Sequence, residues 1–338
     1  MSRLCIALFS GGLDSALALR LVASLGVDVV AVHCRHAFHA VKDPEQAAEA
    51  LRRRALELGA KDILFPDVAD DLAALVKRPR YGLGKNMNPC LDCRLLTISQ
   101  GKRAMDELGG DFLASGEVLG QRPMSQRRDA MNTVDRHVRD MGIPGRLLRP
   151  LSALLLPPTF PETEGWIDRE KLMGIGGRGR KPQLELAARL GVKDYPNPAG
   201  GCLLTDPGYA ARLRDLHTNE PDWTPADAEL LKIGRHFWFG RTRVVASRND
   251  EENGRLRVLA RPDDRFYLAA ERPGAVVLSR GAALEESERA AAGLALHYSK
   301  MRDAGEADVF VWRGATPDVR ETLRRVALDP SDIGVKIE

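Results

Sequence analysis

The sequence predicts an α/β protein in which a parallel sheet flanked by helices is followed by a smaller α+β domain. Three observations carry this. The first third of the 338 residues alternates short β-rich runs with longer segments of helical period, the pattern of strands joined by helical crossovers. The opening run, Leu4 to Phe9, is apolar throughout and ends at Ser10-Gly11-Gly12, as a strand buried on both faces does. Beyond residue 225 the runs become short and alternating, which suits strands with one covered face.

Each element follows in order. Asp14 to Leu25 sets Leu17, Leu21 and Leu25 four residues apart on one helix face. Asp28 to His33 reads as a second strand, Pro44 to Leu58 as a helix with proline in its tolerated first turn, Asp62 to Phe65 as a third strand and Ala69 to Val76 as a helix. Arg78 to Pro89 is a loop rich in Gly, Pro and Asn, and Phe112 to Ser115 is a further strand. Between Leu151 and Gly201 the prolines and glycines (Pro157-Pro158, Pro161, Gly174, Gly176-Gly177, Gly179) break any long element, apart from a helix over Pro182 to Leu190. The polar stretch His217 to Pro225 reads as a boundary, after which Thr224 caps a helix over Pro225 to Leu231. Arg243 to Ala246, Leu256 to Ala260, Phe266 to Ala269 and Ala275 to Leu278 then read as short strands, Glu285 to Arg302 as a helix and Val309 to Trp312 as a closing strand. The expected division is a first domain over 1–150, an extension packed on it over 151–216 and a last domain over 228–338.

Composition excludes several classes. At 44% hydrophobic and 29% charged residues the chain is not a disordered one. Its longest apolar runs, such as Ala153 to Leu156, are far below the roughly 18 residues of a membrane span. The amino terminus lacks the apolar region and cleavage site of a signal peptide, so the expected location is the cytoplasm, with no membrane partner. The net charge of +3 is small but uneven: residues 76–103 hold seven Lys or Arg against one acid, and residues 119–214 hold sixteen against ten. That excess can meet a polyanion. Arg122, Arg127 and Arg128, and the loop with Arg178, Arg180 and Lys181, are the clusters suited to RNA phosphates, against the bland alternative of solvated surface charge.

The segment Ser10-Gly11-Gly12-Leu13-Asp14-Ser15 carries the strongest chemistry. Two glycines let the backbone turn and approach a ligand, a helix amino terminus offers N–H groups to an anion, and two hydroxyls add donors. Asp14 would repel phosphate unless a cation such as Mg²⁺ bridged them. The lack of a following Lys separates this loop from the GxxxxGK[ST] type. At these residues the chain resembles the PP-loop ATP pyrophosphatases, whose SGGxDS motif binds the pyrophosphate part of ATP. The resemblance implies the adenine nucleotide alpha hydrolase-like fold and adenylation of a carbonyl oxygen by ATP. The second matching segment, Gly116-Glu117-Val118-Leu119-Gly120-Gln121, is similar to the GE-x-x-GQ segment of the 4-thiouridine synthetase branch. That likeness implies a tRNA sulfurtransferase, with the adenosine side of ATP near His33, Gly116 and Glu117.

Cys90-Leu91-Asp92-Cys93 is a C-x-x-C, and Cys202 follows Pro198-Ala199-Gly200-Gly201. Three thiolates can hold three irons of a [4Fe–4S] cluster and leave one open. A persulfide resolved as a disulfide is the alternative within the family, and structural metal or inert thiols the third reading. Cys5 and Cys34 read as buried small apolar residues. In the last domain, Gly234 to Asn253 interleaves aromatics with arginines, including Arg235 and Arg241, and resembles the NFACT-R type of RNA-binding module; a core role for Phe237-Trp238-Phe239 is the competing reading. The chain departs from the 4-thiouridine synthetase pattern in showing neither a THUMP region nor a rhodanese domain. Together the resemblances imply ATP, Mg²⁺ and a [4Fe–4S] cluster as cofactors, and tRNA and a sulfur donor, sulfide or a cysteine desulfurase, as partners. Homodimers are common among such enzymes. The rival expectations are a PP-loop ligase or sulfur transferase acting on a small molecule, a cluster enzyme that removes sulfur from thiolated bases, and an RNA-binding adaptor with a degenerate nucleotide site.

Overall fold

A computed structural model describes residues 2–195, 202–282, 284–316 and 320–333, and the backbone of 336–337. The chain forms two compact units, Met1–Cys202 and Leu203–Glu338. In the first, the described residues form β1 (Leu4–Leu8), α1 (Leu13–Ser24), β2 (Asp28–Val32), α2 (Pro44–Glu57), β3 (Asp62–Leu64), α3 (Ala69–Lys77), α4 (Cys90–Leu108), β4 (Phe112–Ser115), α5 (Arg128–Asp140), β5 (Leu147–Leu148), α6 (Phe160–Thr163) and α7 (Lys181–Leu190). In the second they form α8 (Pro207–Asn219), α9 (Pro225–Leu230), β6 (Arg235–Phe239), β7 (Thr242–Ala246), α10 (Asp250–Val258), β8 (Arg265–Ala269), β9 (Val277–Arg280), α11 (Glu285–His297), β10 (Glu306–Arg313), β11 (Glu321–Val326) and β12 (Lys336–Ile337).

The first unit is built on a parallel sheet of order β3-β2-β1-β4-β5. Side chains alternate across it. Cys5, Ala7, Val29, Ala31, Phe112 and Ala114 join one core with α1 and α7, while Ile6, Leu8, Val30, Val32 and Leu113 join another with α4 and α5. Leu151, Ala153, Ile167, Leu172 and Ile175 complete the first of these cores, so the Pro- and Gly-rich segment after β5 contributes to packing despite having little regular structure. Because the chain runs outward from β1 to β3 and returns on the other side of β1 as β4, the carboxyl ends of β1 and β4 flank the point where strand order reverses. Ligands of such sheets bind there.

The second unit is an antiparallel sheet of order β11-β10-β8-β9-β7-β6-β12. One face is covered by α11, through Ala291, Leu294, Ala295 and their neighbours, and a core of Leu230, Ile233, Leu256, Phe266 and Trp312 fills the other. Tyr209 in α8 donates its hydroxyl to the carbonyl of Ala228, and Arg212 donates to that of Leu231. This helix therefore belongs with the second unit, and the division falls upstream of the polar stretch at 217–225. One expected strand is overturned: Leu256 lies in α10, a helix whose start is capped by the Asn249 side chain accepting from the Glu252 N–H. No helix among the described residues is long and apolar enough to cross a membrane.

Candidate active site

β1 ends at Leu8 and the chain turns through Ser10, Gly11 and Gly12 into α1. Gly11 has φ of +77°, and a side chain there would meet Leu51 at 2.6 Å, so both conformation and space require glycine. Arg54 of α2 holds the turn from outside by donating to the Gly11 carbonyl at 2.6 Å. Inside it, the Ser15 hydroxyl donates to the Gly12 carbonyl at 2.9 Å and accepts from the Ser10 N–H at 3.2 Å. Gly12 caps α1 in extended conformation, and no side chain among the described residues caps that end. The first-turn N–H groups are thereby left for an anion.

The Gly116 segment follows β4 and packs directly on this turn. A Cβ at Gly116 would lie 2.5 Å from the Ser15 nitrogen and 2.6 Å from the Asp14 carbonyl carbon, so only glycine lets the two backbones meet. Gln121 then donates to Asp14 Oδ2 at 2.7 Å and accepts from the buried Gln183 of α7 at 3.1 Å. Asp14 Oδ1 is buried and has no hydrogen-bond partner among the described residues. Burial raises the Asp14 pKa against the opposing pull of Gln121, Arg122 and Arg180. The result is a carboxylate with one unused oxygen at a helix amino terminus. It is the arrangement that accepts a cation.

Glu117 does different work. It is fully buried, accepts from Ser115 at 2.9 Å and from Arg149 at 3.0 Å, and faces Arg94 at 3.3 Å. Burial alone would raise its pKa, yet Arg94 and Arg149 hold it below the usual carboxylate value. Its partner Arg94 is a residue the sequence did not single out. Arg149 also lines a cavity of about 230 Å³ with Arg128, Met131, Asp135 and Glu162, none of which lies in the Ser10 or Gly116 loops. His33, at the end of β2, is buried with its Nδ1 at 2.9 Å from the Phe9 carbonyl, and burial lowers its pKa.

Cys90 and Cys93 occupy the first turn of α4. Burial raises both thiol pKa values, while Arg122 and Arg94 pull Cys90 down and Arg94 pulls Cys93 down. Arg122 acts electrostatically on both Asp14 and Cys90. Cys202 lies beside Asn88, whose Nδ2 is 3.5 Å from its sulfur, and pairs by backbone with His39; Pro198 to Gly201 lie outside the described residues. Cys34, read as a buried apolar residue, has its pKa pushed up to about 12, first by burial and then by nearby Cys93. No disulfide joins the cysteines, and no three His, Cys, Asp or Glu side chains among the described residues are arranged to hold a metal ion.

The basic residues divide. Arg122 and Arg180 both act on Asp14, and Gly177 donates to the Leu119 carbonyl at 2.7 Å, which brings the Arg178–Lys181 loop against the Gly116 segment. Arg127 faces Asp129, Arg128 donates to the Leu155 carbonyl and Lys181 faces Glu185. In the second unit, Arg235 lies over the Tyr298 ring at 4.4 Å and Arg241 donates to the Asn219 carbonyl. The stacking role weighed for Phe237-Trp238-Phe239 does not hold: all three are buried, Phe237 and Phe239 in the core with α11 and Trp238 on the opposite face under Arg243.

Residues 234–325 match the family model of the NFACT protein RNA binding domain. The chain is 28% identical over 248 residues to a tRNA-specific 2-thiouridylase of Xanthobacter autotrophicus, covering 67% of this chain and 58% of that protein. It is 27% identical over 121 residues to a probable tRNA sulfurtransferase of Thermococcus kodakarensis, covering 34% and 30%. The chain thus spans about half or less of the length of these relatives. Among solved structures, a 4-thiouridine synthetase–RNA complex with bound ATP aligns over 67% of this chain and 53% of that one at 18% identity and a TM-score of 0.36. The carboxyl-terminal part of a fibronectin/fibrinogen-binding protein from Streptococcus suis aligns over 51% and 76% at 15% identity and a TM-score of 0.28. In sequence the chain is similar to a tRNA-specific 2-thiouridylase and a probable tRNA sulfurtransferase, and its residues 234–325 match the NFACT protein RNA binding domain.

Proposed function

We propose that this protein is an ATP-dependent tRNA thiolation enzyme. The observation that carries the reading is the meeting, where strand order reverses, of the Ser10–Ser15 turn, the Gly116–Gln121 segment and the Cys90–Cys93 turn, linked by Arg94 and Arg122. Backbone N–H groups at the start of α1, with Ser10 and Ser15, hold the pyrophosphate part of ATP. Asp14 fits a Mg²⁺ ion through its unpartnered Oδ1, and the ion when bound offsets the phosphate charge that Asp14 would otherwise repel. His33 and the Gly116 backbone bound the adenosine side, with Glu117 fixing Arg94 from beneath. A uridine leaves its stack to reach the crevice. Its carbonyl oxygen attacks the α-phosphorus, the bond to pyrophosphate breaks, and hydrosulfide then displaces AMP, which carries the former carbonyl oxygen away. Arg122 and Arg180 stabilise the developing phosphoryl charge.

Cys90, Cys93 and Cys202 bring sulfur to that carbon. The donor set fits a cluster in chemistry: two thiols share a helix turn, the third lies across Asn88, and two arginines are placed to balance thiolate charge. The described residues do not close on a single ion, and a cubane spreads its thiolate ligands over separate irons. These residues would hold a [4Fe–4S] cluster, whose open iron, when the cluster is bound, keeps hydrosulfide available. The sulfur donor is sulfide, or a cysteine desulfurase whose persulfide sulfur is released as hydrosulfide by two electrons from a thiol reductant, and the chemistry suits a reducing cytoplasm.

The test is anaerobic purification with iron and acid-labile sulfide analysis, alongside Cys90→Ala, Cys93→Ala and Cys202→Ala. About four irons per chain, lost in each variant together with ATP- and sulfide-dependent tRNA thiolation, is the expected result. Iron-free protein that thiolates tRNA from a persulfide donor would remove the cluster and leave the adenylation step standing. Protein that forms no thiolated tRNA with any sulfur donor would overturn the reading itself.

A further inference from the structure

The loop of residues 78–87 is built in two layers. Its base is buried at Met87 and Asn88, while Arg78, Arg80, Tyr81, Leu83 and Lys85 are exposed. Asp92, itself only 4% exposed, accepts from the backbone N–H of Arg80 at 3.2 Å and of Tyr81 at 3.1 Å. Asn88 ties the other end, its carbonyl accepting from the Gly84 N–H at 2.7 Å and its side chain donating to Cys202. Gly84 lies against the Cys90 sulfur and Met124, at 3.5 Å and 3.0 Å from where its Cβ would stand. The loop is thus fastened at both ends to the residues that carry the three thiols.

Its outer layer has a definite chemistry. Arg78, Arg80 and Lys85 form no ion pair among the described residues, and the only acid between 76 and 103 is the buried Asp92. The Arg80 guanidinium lies over the Tyr81 ring at 5.3 Å, and Tyr81, Leu83 and Met124 are large apolar side chains left exposed. Three uncompensated cations around an exposed aromatic ring fit a single nucleic-acid strand, where phosphates meet the cations and a base meets the ring. A nucleotide drawn out of its stack leaves neighbours that need such a partner.

We infer that residues 78–87 are an RNA-gripping loop that presents an unstacked nucleotide to the thiols, with Tyr81 stacking a base and Arg78, Arg80 and Lys85 holding the flanking phosphates. This rests on the tRNA reading above. Asp92 is its positioning residue: it sits between the two cysteines of α4 and sets the path of the loop they face.

The test uses the full chain and an unmodified tRNA transcript, with affinity measured between about 50 and 200 mM salt. The triple variant Arg78→Gln, Arg80→Gln, Lys85→Gln is expected to bind at least about tenfold more weakly and to lower the salt slope by about 2–3. Tyr81→Ala is expected to weaken binding about tenfold, while Tyr81→Phe, which keeps the ring, stays within about twofold. All substituted side chains are exposed, so the melting temperature should stay near wild type. A triple variant with wild-type affinity and slope overturns the loop and leaves thiolation untouched. Wild-type protein that binds no tRNA overturns both.

Discussion

Asp14 and Glu117 lie in neighbouring loops of one crevice, and their pKa values move in opposite directions. Burial raises Asp14, which has Gln121 as its single hydrogen-bond partner, whereas Glu117 sits lower because Arg94 and Arg149 already balance its charge. Among the described residues, one carboxylate is paired with two arginines and the other is bonded to no cation. A group whose folded pKa is raised contributes stability while protonated and loses it as pH rises through that pKa. At neutral pH the Asp14 charge therefore works against the ligand-free fold. Asp14→Asn is expected to raise the melting temperature of the ligand-free protein and to abolish the added stabilisation by Mg·ATP. The gap between the two melting temperatures should narrow as pH falls. A variant that melts no higher than wild type and keeps its Mg·ATP shift would show that Asp14 is neither strained nor a cation ligand. Asp14 and Gly116 were legible because a turn writes its glycines and acids close together in sequence. Arg94, Asp92, Asn88 and Arg149 were not, since each acquires its role from a partner on another strand or helix.

At the scale of elements, four of the five strands of the first sheet were plain in sequence, and the two-residue β5 and α4 were not. Its Cys90–Leu108 span opens on two cysteines and holds Ser99, Gly101 and polar residues among Leu95, Ile98 and Met105, so the apolar spacing is thin although the buried face is continuous. Phe237-Trp238-Phe239 was open to two readings, core or stacking platform, because an aromatic run beside arginines looks alike on a surface and in an inner strand. The arginines there serve packing as well. Asp227, in the first turn of α9, accepts from Arg243 of β7 at 2.9 Å, Arg280 of β9 at 2.7 Å and Arg261 at 2.5 Å, and is fully buried. Although burial opposes it, the Thr224 bonds and these arginines hold its pKa at about 2, below the ordinary 3.8. A depressed carboxylate contributes stability above its unfolded value and loses it as pH falls through the folded one. The second unit should therefore lose about 2 kcal/mol of stability between pH 4 and pH 2 from this residue. Asp227→Asn, which leaves the buried Arg243 and Arg280 and the exposed Arg261 short of a charge, should cost about 3–5 kcal/mol at neutral pH and remove that acid dependence. Unfolding in urea at several pH values measures both, and an unchanged acid slope in the variant would assign the loss to other carboxylates.

For the whole molecule, the change from parallel to antiparallel architecture was visible in the sequence as a change in run length near residue 225, but the compact units divide at Cys202 and Leu203. The reason is that α8 shows no boundary of its own in composition; only the bonds of Tyr209 and Arg212 to residues beyond 225 assign it. Each unit has its own apolar cores on both faces of its own sheet. Independent cores imply independent cooperative transitions, and the proposed ligands then sort between them. Mg·ATP binds residues of the first unit alone in the reading above, so at about a hundredfold excess over its Kd it adds about 2.7 kcal/mol to that unit and raises its transition by about 5–10 °C. The transition of the second unit should stay where it was, while Asp227→Asn lowers that transition and leaves the first. Calorimetry of the full chain with and without Mg·ATP reads both shifts in one pair of scans. A single transition that moves as a whole with nucleotide would mean that the two sheets unfold as one cooperative unit.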